Sequence, residues 1–183
     1  MERQIDYRQL GAADLARVGE IDRTEQIEAL YVQHGTRLEV LTGDWSSPPW
    51  SDEGEGEHSV AAQKASLESL VESGAIALGA FDGDRLVAVG VVVPHRRPGV
   101  AQLAFLHVSD GYRRRGIGRH LSDELERIAR EAGDTAMVVS ATPSVNTVRF
   151  YLRRGFEPMA EPLPELYELE PEDVHLQKSL GSS

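Results

Sequence analysis

The residues best suited to chemistry form a short basic stretch, YRRRGIGRH (Tyr112–His120). It follows an apolar run, Val100–Ser109, and precedes apolar residues at helical spacing. Gly116 and Gly118 lie where that helix should begin, and glycine there lets a phosphate approach the free N–H groups of the first turn. The arginines that surround this turn are Arg113, Arg114, Arg115 and Arg119. The stretch therefore predicts a site for a phosphate or pyrophosphate.

Two common phosphate-binding loops do not match this stretch. A Walker loop would need Lys and then Ser or Thr directly after Gly116, and neither follows it. A dinucleotide fingerprint would need a third glycine, and Leu121 stands in that place. The arginines could also form a solvated helix start or a patch for RNA phosphates. Both of these roles leave the paired glycines unexplained, and the net charge of -11 disfavours nucleic acid.

A second segment, SVNTVRFYLRRGF (Ser144–Phe156), combines Asn146, an aromatic pair, a basic pair and Gly-Phe. Together with Leu103–Leu121, it resembles the GNAT superfamily of acyl-CoA-dependent N-acetyltransferases. The first block matches the family's strand, Val-x-x-x-Tyr-Arg segment and glycine signature, and the second matches its later motif. The resemblance covers most of the chain except roughly residues 24–57 and 157–173. These two regions are expected to shape the acceptor site.

The resemblance implies a mixed α/β (α+β) fold, in which helices flank a central, twisted, mostly antiparallel sheet. It also implies direct transfer of an acetyl group from acetyl-CoA, the co-substrate, to a primary amine in a ternary complex. The strand Leu103–Val108 should splay from Ala136–Ser140, which would free backbone groups for the pantetheine arm and the thioester carbonyl. The coenzyme-binding residues that it implies are Leu106, His107, Val108, Arg113, Arg114, Arg115, Gly116, Ile117, Gly118, Arg119 and Asn146.

Tyr151 corresponds to the family's usual general acid. A phenol with a pKa near 10 stays protonated at neutral pH and can donate to the departing thiolate. Tyr151 could instead be a core aromatic residue beside Phe150, because neighbouring helical residues point about 100° apart. We expect the catalytic role.

The proton acceptor for the amine is harder to assign. Many relatives place a Glu on the strand before the glycine turn, where this chain has Gln102 and His107 and no carboxylate. His107 has a suitable ordinary pKa, near 6.5, and is a candidate catalytic residue; a hydrogen-bonded interior role is the alternative. A base acting through water, or a distant acid, stays open. The missing carboxylate also leaves an acyl-CoA-binding sensor without transferase activity as the alternative function.

Composition limits the classes of protein and partner. The chain has 183 residues and 40% hydrophobic residues, which predicts one globular domain over residues 1–183. It has no cysteine, and its six histidines show no ligand spacing, so no metal site is predicted. The acidic balance, with seven carboxylates in Glu157–Asp173, favours a cationic small-molecule or peptide amine as acceptor. We expect no membrane segment, no signal peptide and a cytoplasmic location, and a homodimer is left open.

The elements that position these residues follow from apolar spacing. Strands are predicted near residues 5–10, 100–109, 136–142 and 172–180, with a hairpin over 75–93 that turns at Asp82-Gly83-Asp84 and is closed by Pro94. Helices are predicted near residues 14–21, 59–74, 117–133 and 143–155. Residues 24–41 are predicted as a helix followed by an extended piece. Gly43–Glu57 is predicted as a loop whose tryptophans, Trp45 and Trp50, either pack beneath it or line the substrate site.

Overall fold

The computed structural model describes residues 4–54 and 56–181. The strands are β1 (Ile5–Gln9), β2 (Glu25–His34), β3 (Arg37–Ser47), β4 (Ile76–Asp82), β5 (Arg85–Arg97), β6 (Val100–Val108), β7 (Ala136–Ala141), β8 (Glu157–Pro158) and β9 (Val174–Ser179). The helices are α1 (Ala12–Leu15), α2 (Val60–Glu72), α3 (Ile117–Glu131), α4 (Val145–Arg153) and α5 (Pro164–Leu169). A 3-10 helix (Ala16–Glu20) continues directly from α1.

Seven strands form one sheet in the order β1-β4-β5-β6-β7-β9-β8, and β2 and β3 form a separate two-stranded sheet. Within the large sheet, β6 and β7 are parallel and the other neighbours are antiparallel. Helices cover both faces: α2 packs with Val89 and Val91 of β5, whereas α3 packs against Ala88. The predicted fold class, a mostly antiparallel mixed sheet flanked by helices, is confirmed.

Helices α2, α3 and α4 lie within two residues of their predicted bounds, whereas the helix predicted near residues 14–21 is the four-residue α1 followed by the 3-10 helix. Ser59 caps α2, because its hydroxyl accepts a hydrogen bond from the Ala62 N–H at 3.1 Å. Gly74, with a φ of 98°, provides the left-handed residue that follows the end of α2. Along α3, buried apolar residues recur every four positions and form one stripe against the sheet: Ile117, Leu121, Leu125 and Ala129.

The predicted helix within residues 24–41 is wrong, because this region is the β2–β3 hairpin. Gly35 adopts a φ of 61° at its turn. The Tyr31 N–H donates to the carbonyl of Pro143 at 2.8 Å, so β2 takes hydrogen-bond partners from a distant part of the chain rather than from its own helical turn. Long-range pairing has overridden the local pattern.

Three further boundaries differ from the predictions. β5 runs past Pro94 to Arg97. The register of its pairing with β6 shifts between Val93 and Arg97, and a strand tolerates proline, which has no backbone N–H, at such an irregularity. The predicted loop from residue 43 begins as strand, since β3 extends to Ser47. The acid-rich stretch after α4 includes the short helix α5, with Pro164 at its first position.

One buried charge cluster joins α3 to β9. Glu126, only 3% exposed, accepts hydrogen bonds at 2.9 Å on both carboxylate oxygens from Lys178 Nζ. Arg130 donates to the same carboxylate at 3.2 Å. These contacts compensate the cost of burying the Glu126 charge.

Within the part of the chain that the structure describes, none of the helices combines the length and apolar character required to cross a membrane.

Candidate active site

The centre of the large sheet contains a gap between β6 and β7. These two strands pair only from Val100–Gln102 to Ala136–Val138. Beyond that point β6 stays with β5, and β7 stays with β9. The predicted splaying of the two strands is confirmed, and the backbone of β6 from Leu103 onward has no β7 partner.

A bulge in β6 lies directly above the closed end of this gap. Val91 pairs with Phe105 and Val92 pairs with Leu103, so Ala104 is an extra residue in β6. A bulge bends and twists its strand, which is consistent with β6 leaving β7 here. The residues that follow the last β6–β7 pairs, Leu103 and Val139, belong to the same buried cluster as Tyr151.

The turn after β6 presents the N-terminus of α3 at the open end of the gap. Gly111 has a φ of 83°, Arg114 of 62° and Gly116, the cap residue of α3, of 80°. The first N–H groups of the 15-residue helix lack intrahelical partners and carry a partial positive charge. This arrangement fits a pyrophosphate group.

Of the two glycines at the start of α3, only Gly116 needs to be glycine for backbone reasons, a difference that the sequence pattern does not reveal. A Cβ on Gly118 would lie 3.5 Å from Val108 Cγ2 and 3.6 Å from Phe150 Cε2, which are ordinary contact distances. Gly118 is not among the residues with positive φ. Neither backbone conformation nor packing therefore requires glycine at position 118.

The four arginines of the stretch do different things. Arg113 donates from Nε to the Val108 carbonyl at 3.1 Å and from Nη1 to the Thr24 carbonyl at 2.9 Å, so it holds the turn in place. Arg115 lies over the Tyr112 ring at 5.2 Å. Arg114 is exposed, and the Arg119 side chain is 76% exposed. Three of the four predicted cations are therefore available to a ligand at the helix terminus.

Tyr151 is 4% exposed and projects from α4 into the core. Its ring makes edge contacts with Phe150 and Phe156, at centroid distances of 5.1 and 5.4 Å. Burial raises the pKa of the Tyr151 hydroxyl above its ordinary value, so the phenol keeps its proton at neutral pH. The residue is both a core aromatic and a neutral proton carrier beside the gap, so the two interpretations are compatible.

His107 lies on the β6 face that carries Phe105, at 4.6 Å from that ring and 5.1 Å from the Trp50 ring. Burial, together with the positive charges of Arg23 and Arg113, lowers the pKa of the imidazole to about 4. His107 is therefore neutral at pH 7 and has little affinity for the proton of an alkylammonium. These contacts favour the interior role over the catalytic one.

The two tryptophans have different surroundings. Trp50 is 6% exposed and packs against Phe105 and His107. Trp45 is half-buried, and its ring covers Gly43 on β3. Trp50 thus supports β6 next to the gap, whereas Trp45 belongs to the hairpin.

Asn146 is exposed on the first turn of α4, where its side-chain amide donates to Glu25 Oε1 at 3.5 Å. Glu25 begins β2, and no motif or spacing in the sequence points to it. Its position depends on pairing and loop contacts that connect residues more than 80 positions apart, such as the Asp22 N–H with the Ser109 hydroxyl at 2.9 Å.

A groove of about 610 Å³ lies between the β2–β3 hairpin and the acid-rich segment. Its walls include Tyr31, Tyr167 and the carboxylates of Glu172 and Asp173. Burial and the neighbouring carboxylates of Glu170 and Glu172 raise the pKa of Asp173 to about 8. A bound cation would reduce the electrostatic repulsion between carboxylates that lie this close together.

The sequence profile of the Acetyltransferase (GNAT) family matches residues 38–156, a range that holds the gap, the glycine turn and Tyr151. The chain belongs to this GNAT family. The resemblance is thereby confirmed, and the protein is an acyltransferase of the GNAT acetyltransferase family. Among curated proteins, no significant match to the chain was found.

Solved acetyltransferase structures of low sequence identity share the fold over nearly the whole chain. Nourseothricin acetyltransferase matches with a TM-score of 0.72 and 15% identity, covering 97% of this chain and 99% of that one. A Bacillus anthracis str. Ames protein described as a streptothricin acetyltransferase, in complex with acetyl coenzyme A, matches with a TM-score of 0.68 and 17% identity, covering 95% of this chain and 96% of that one. PaiA N-acetyltransferase from Thermoplasma acidophilum, in complex with coenzyme A, matches with a TM-score of 0.62 and 18% identity, covering 96% of this chain and 99% of that one.

Proposed function

We propose that this GNAT protein transfers the acetyl group of acetyl-CoA to a primary amine on a small cationic molecule. The observation that carries the proposal is the gap between β6 and β7, which has the α3 N-terminus at its open end and Tyr151 at its closed end. When bound, acetyl-CoA supplies an activated acyl carbon on a good leaving group. Two of the structural relatives were solved with this coenzyme or its product.

The residues of the chain take separate parts in this scheme. The turn and the exposed arginines bind the pyrophosphate, while unpaired backbone groups near Leu106, His107 and Val108 bind the extended arm and polarise the thioester carbonyl. Asn146 donates a hydrogen bond to the arm. Tyr151, which remains neutral, donates a proton to the thiolate as it leaves. Holding donor and acceptor in one site removes the entropic cost of their encounter.

The acidic groove supports a cationic acceptor. It opens beside Pro143, which precedes α4, and Tyr31 both lines the groove and packs against the cluster that contains Tyr151. The Glu172 carboxylate would attract an ammonium group, and Asp173, whose raised pKa keeps it largely protonated at neutral pH, would ionise as a second cationic group binds. The name of one structural relative makes nourseothricin the first acceptor to test.

The test has two stages. Calorimetric titration with acetyl-CoA should give saturable binding, and no heat or thermal shift at millimolar ligand would overturn the proposal. Free-thiol release is then followed with nourseothricin, spermidine, lysine and a peptide N-terminus as acceptors. Coenzyme binding without thiol release from any amine would leave a binding protein instead of an enzyme for amines.

A further inference from the structure

Ser140 and His175 form a hydrogen-bonded pair on neighbouring strands. They lie directly opposite each other in the antiparallel pairing of β7 with β9, and the Ser140 hydroxyl is 3.2 Å from His175 Nδ1. The other ring nitrogen, Nε2, is 3.0 Å from the Glu170 carbonyl oxygen. That oxygen can only accept, so in the neutral ring Nε2 donates to it and Nδ1 accepts the hydrogen bond of the Ser140 hydroxyl. Because no described residue donates to the Ser140 oxygen, its lone pairs remain available to a ligand.

His175 is fixed through both its main chain and its ring. The residue is only 2% exposed. The side chain of Gln33, on β2, accepts a hydrogen bond from the His175 N–H at 2.8 Å and donates to the His175 carbonyl at 3.1 Å. The Tyr167 ring lies 5.8 Å from the imidazole, measured between ring centroids. A buried imidazole held in this way keeps one orientation, and it therefore fixes the direction of the Ser140 hydroxyl.

Ser140 lies beside the closed end of the gap. It is the second residue of β7 after Val138, which makes the last pair with β6. Side chains alternate along a strand, so Ser140 shares a face with Val138, whereas Val139 lies on the face that carries Tyr151. The side chains of Ser140 and Tyr151 are therefore on opposite faces of the sheet at the same end of the gap.

The groove beside the hairpin lies on the face that carries Ser140. Met159 lines the groove and packs with Val138 in one buried cluster, and His175 lines the groove as well. Ser140 itself is partly exposed. The Ser140–His175 pair thus connects the groove, where the acceptor is proposed to bind, with the closed end of the gap, where the acyl group is proposed to lie.

We propose that the Ser140 oxygen accepts a hydrogen bond from the reacting nitrogen of the acceptor, and that His175 orients the Ser140 hydroxyl for this contact. This inference rests on the proposed function. An amine that directs one N–H at Ser140 presents its own lone pair in another direction, toward the acyl carbon. Alignment of the reacting atoms contributes to the rate beyond the strength of the hydrogen bond itself. Ser140 contacts the substrate, whereas His175 is a positioning residue that acts through Ser140, and no bond is made or broken at either residue.

The first variant is Ser140→Ala, which removes the accepting oxygen and keeps the strand. With the best acceptor of the panel, kcat/KM from free-thiol release should fall about 10-fold or more, because the nitrogen is no longer aligned. The dissociation constant of acetyl-CoA should change less than about 3-fold in calorimetry. Ser179→Ala is the matched control, because Ser179 is exposed at the other end of β9, and this variant should retain full activity.

Two variants of His175 separate its orienting role from a structural one. Asn places an amide oxygen near the position of Nδ1 and can still accept from the Ser140 hydroxyl. Gln places an amide nitrogen near the position of Nε2, so it can still donate to the Glu170 carbonyl but cannot accept from Ser140. His175→Asn should therefore stay within about 3-fold of the wild-type kcat/KM, whereas His175→Gln should lose about as much as Ser140→Ala.

The contrast between the two His175 variants distinguishes the possible roles of the ring. If His175 were only structural, activity would follow the melting temperature of each variant, and if it were a proton acceptor, both variants would lose activity alike. Equal losses in His175→Asn and His175→Gln, or an unchanged kcat/KM in Ser140→Ala, would overturn the assignment. If the wild type released no thiol with any amine of the panel, the proposed function itself would fail, and this inference with it.

Discussion

Replacing Tyr151 by Phe removes one oxygen atom from the centre of the proposed site. The ring would keep its edge contacts with Phe150 and Phe156. The hydroxyl makes no hydrogen bond to another described residue, so its loss leaves no group of the chain unpaired. We therefore expect the free energy of unfolding to change by less than about 1 kcal/mol.

The effect on turnover should be far larger, because Phe cannot protonate the leaving thiolate. A general acid contributes on the order of 10²-fold or more, so kcat should fall about 10²-fold, which corresponds to about 2.7 kcal/mol of transition-state stabilisation. KM for acetyl-CoA should stay within about 3-fold of the wild-type value. The contrast between these two numbers is what identifies a proton donor rather than a packing residue.

The assay combines free-thiol release, calorimetric titration with acetyl-CoA and urea unfolding of the same samples. Tyr7→Phe is a suitable control, because Tyr7 lies on edge strand β1, where its ring packs against the His120 ring with centroids 3.8 Å apart. An unchanged kcat in Tyr151→Phe would refute the proposed role. A large loss of stability in that variant would refute the claim that the hydroxyl is unimportant for folding.

Three further predictions concern the turn, the β6 histidine and the buried charge cluster. Gly118→Ala should leave the melting temperature nearly unchanged, because its Cβ meets ordinary contacts, while calorimetry should show acetyl-CoA affinity lowered at least about 10-fold, or about 1.4 kcal/mol. Because the pKa of His107 is lowered to about 4 in the folded state, the folded chain binds this proton only at a lower pH than the unfolded chain does. The contribution of His107 to the free energy of unfolding should therefore be complete above about pH 6.5 and decline as the pH falls toward 4. Urea titrations of His107→Phe should show a flatter decline. Glu126→Ala should cost about 3–5 kcal/mol in urea unfolding, since it leaves Lys178 and its neighbouring arginines without their shared carboxylate, and a loss below about 1 kcal/mol would contradict that reasoning.

The parts of the site that depend on local order can be predicted from the sequence. The glycine turn is recognisable because a strand, a turn and a helix follow one another directly in the sequence, from Val100 to Glu131. Tyr151 is recognisable because its motif lies on one helix. The gap itself is expected only through the family resemblance. Pairing between β6 and β7 is a property of two strands, and neither strand alone encodes where it stops.

Glu25 cannot be predicted for a related reason. The apolar residues of 24–41 have mixed spacing, which suggests a helix, and one edge of β2 is satisfied by Pro143, far along the chain. The groove carboxylates are recognisable as an acidic segment, although the folding of α5 within that segment is not. Local patterns thus locate the coenzyme site better than the acceptor site.

The brief pairing of β6 with β7 divides the sheet into a four-stranded portion and a three-stranded portion joined by a seam only three residue pairs long. Any molecule that lies in the gap contacts both portions and holds them together. Coenzyme binding should consequently slow amide hydrogen exchange in β5 and β9 together, although these strands lie on opposite sides of the seam. The opening that makes room for the ligand also makes the ligand part of the architecture.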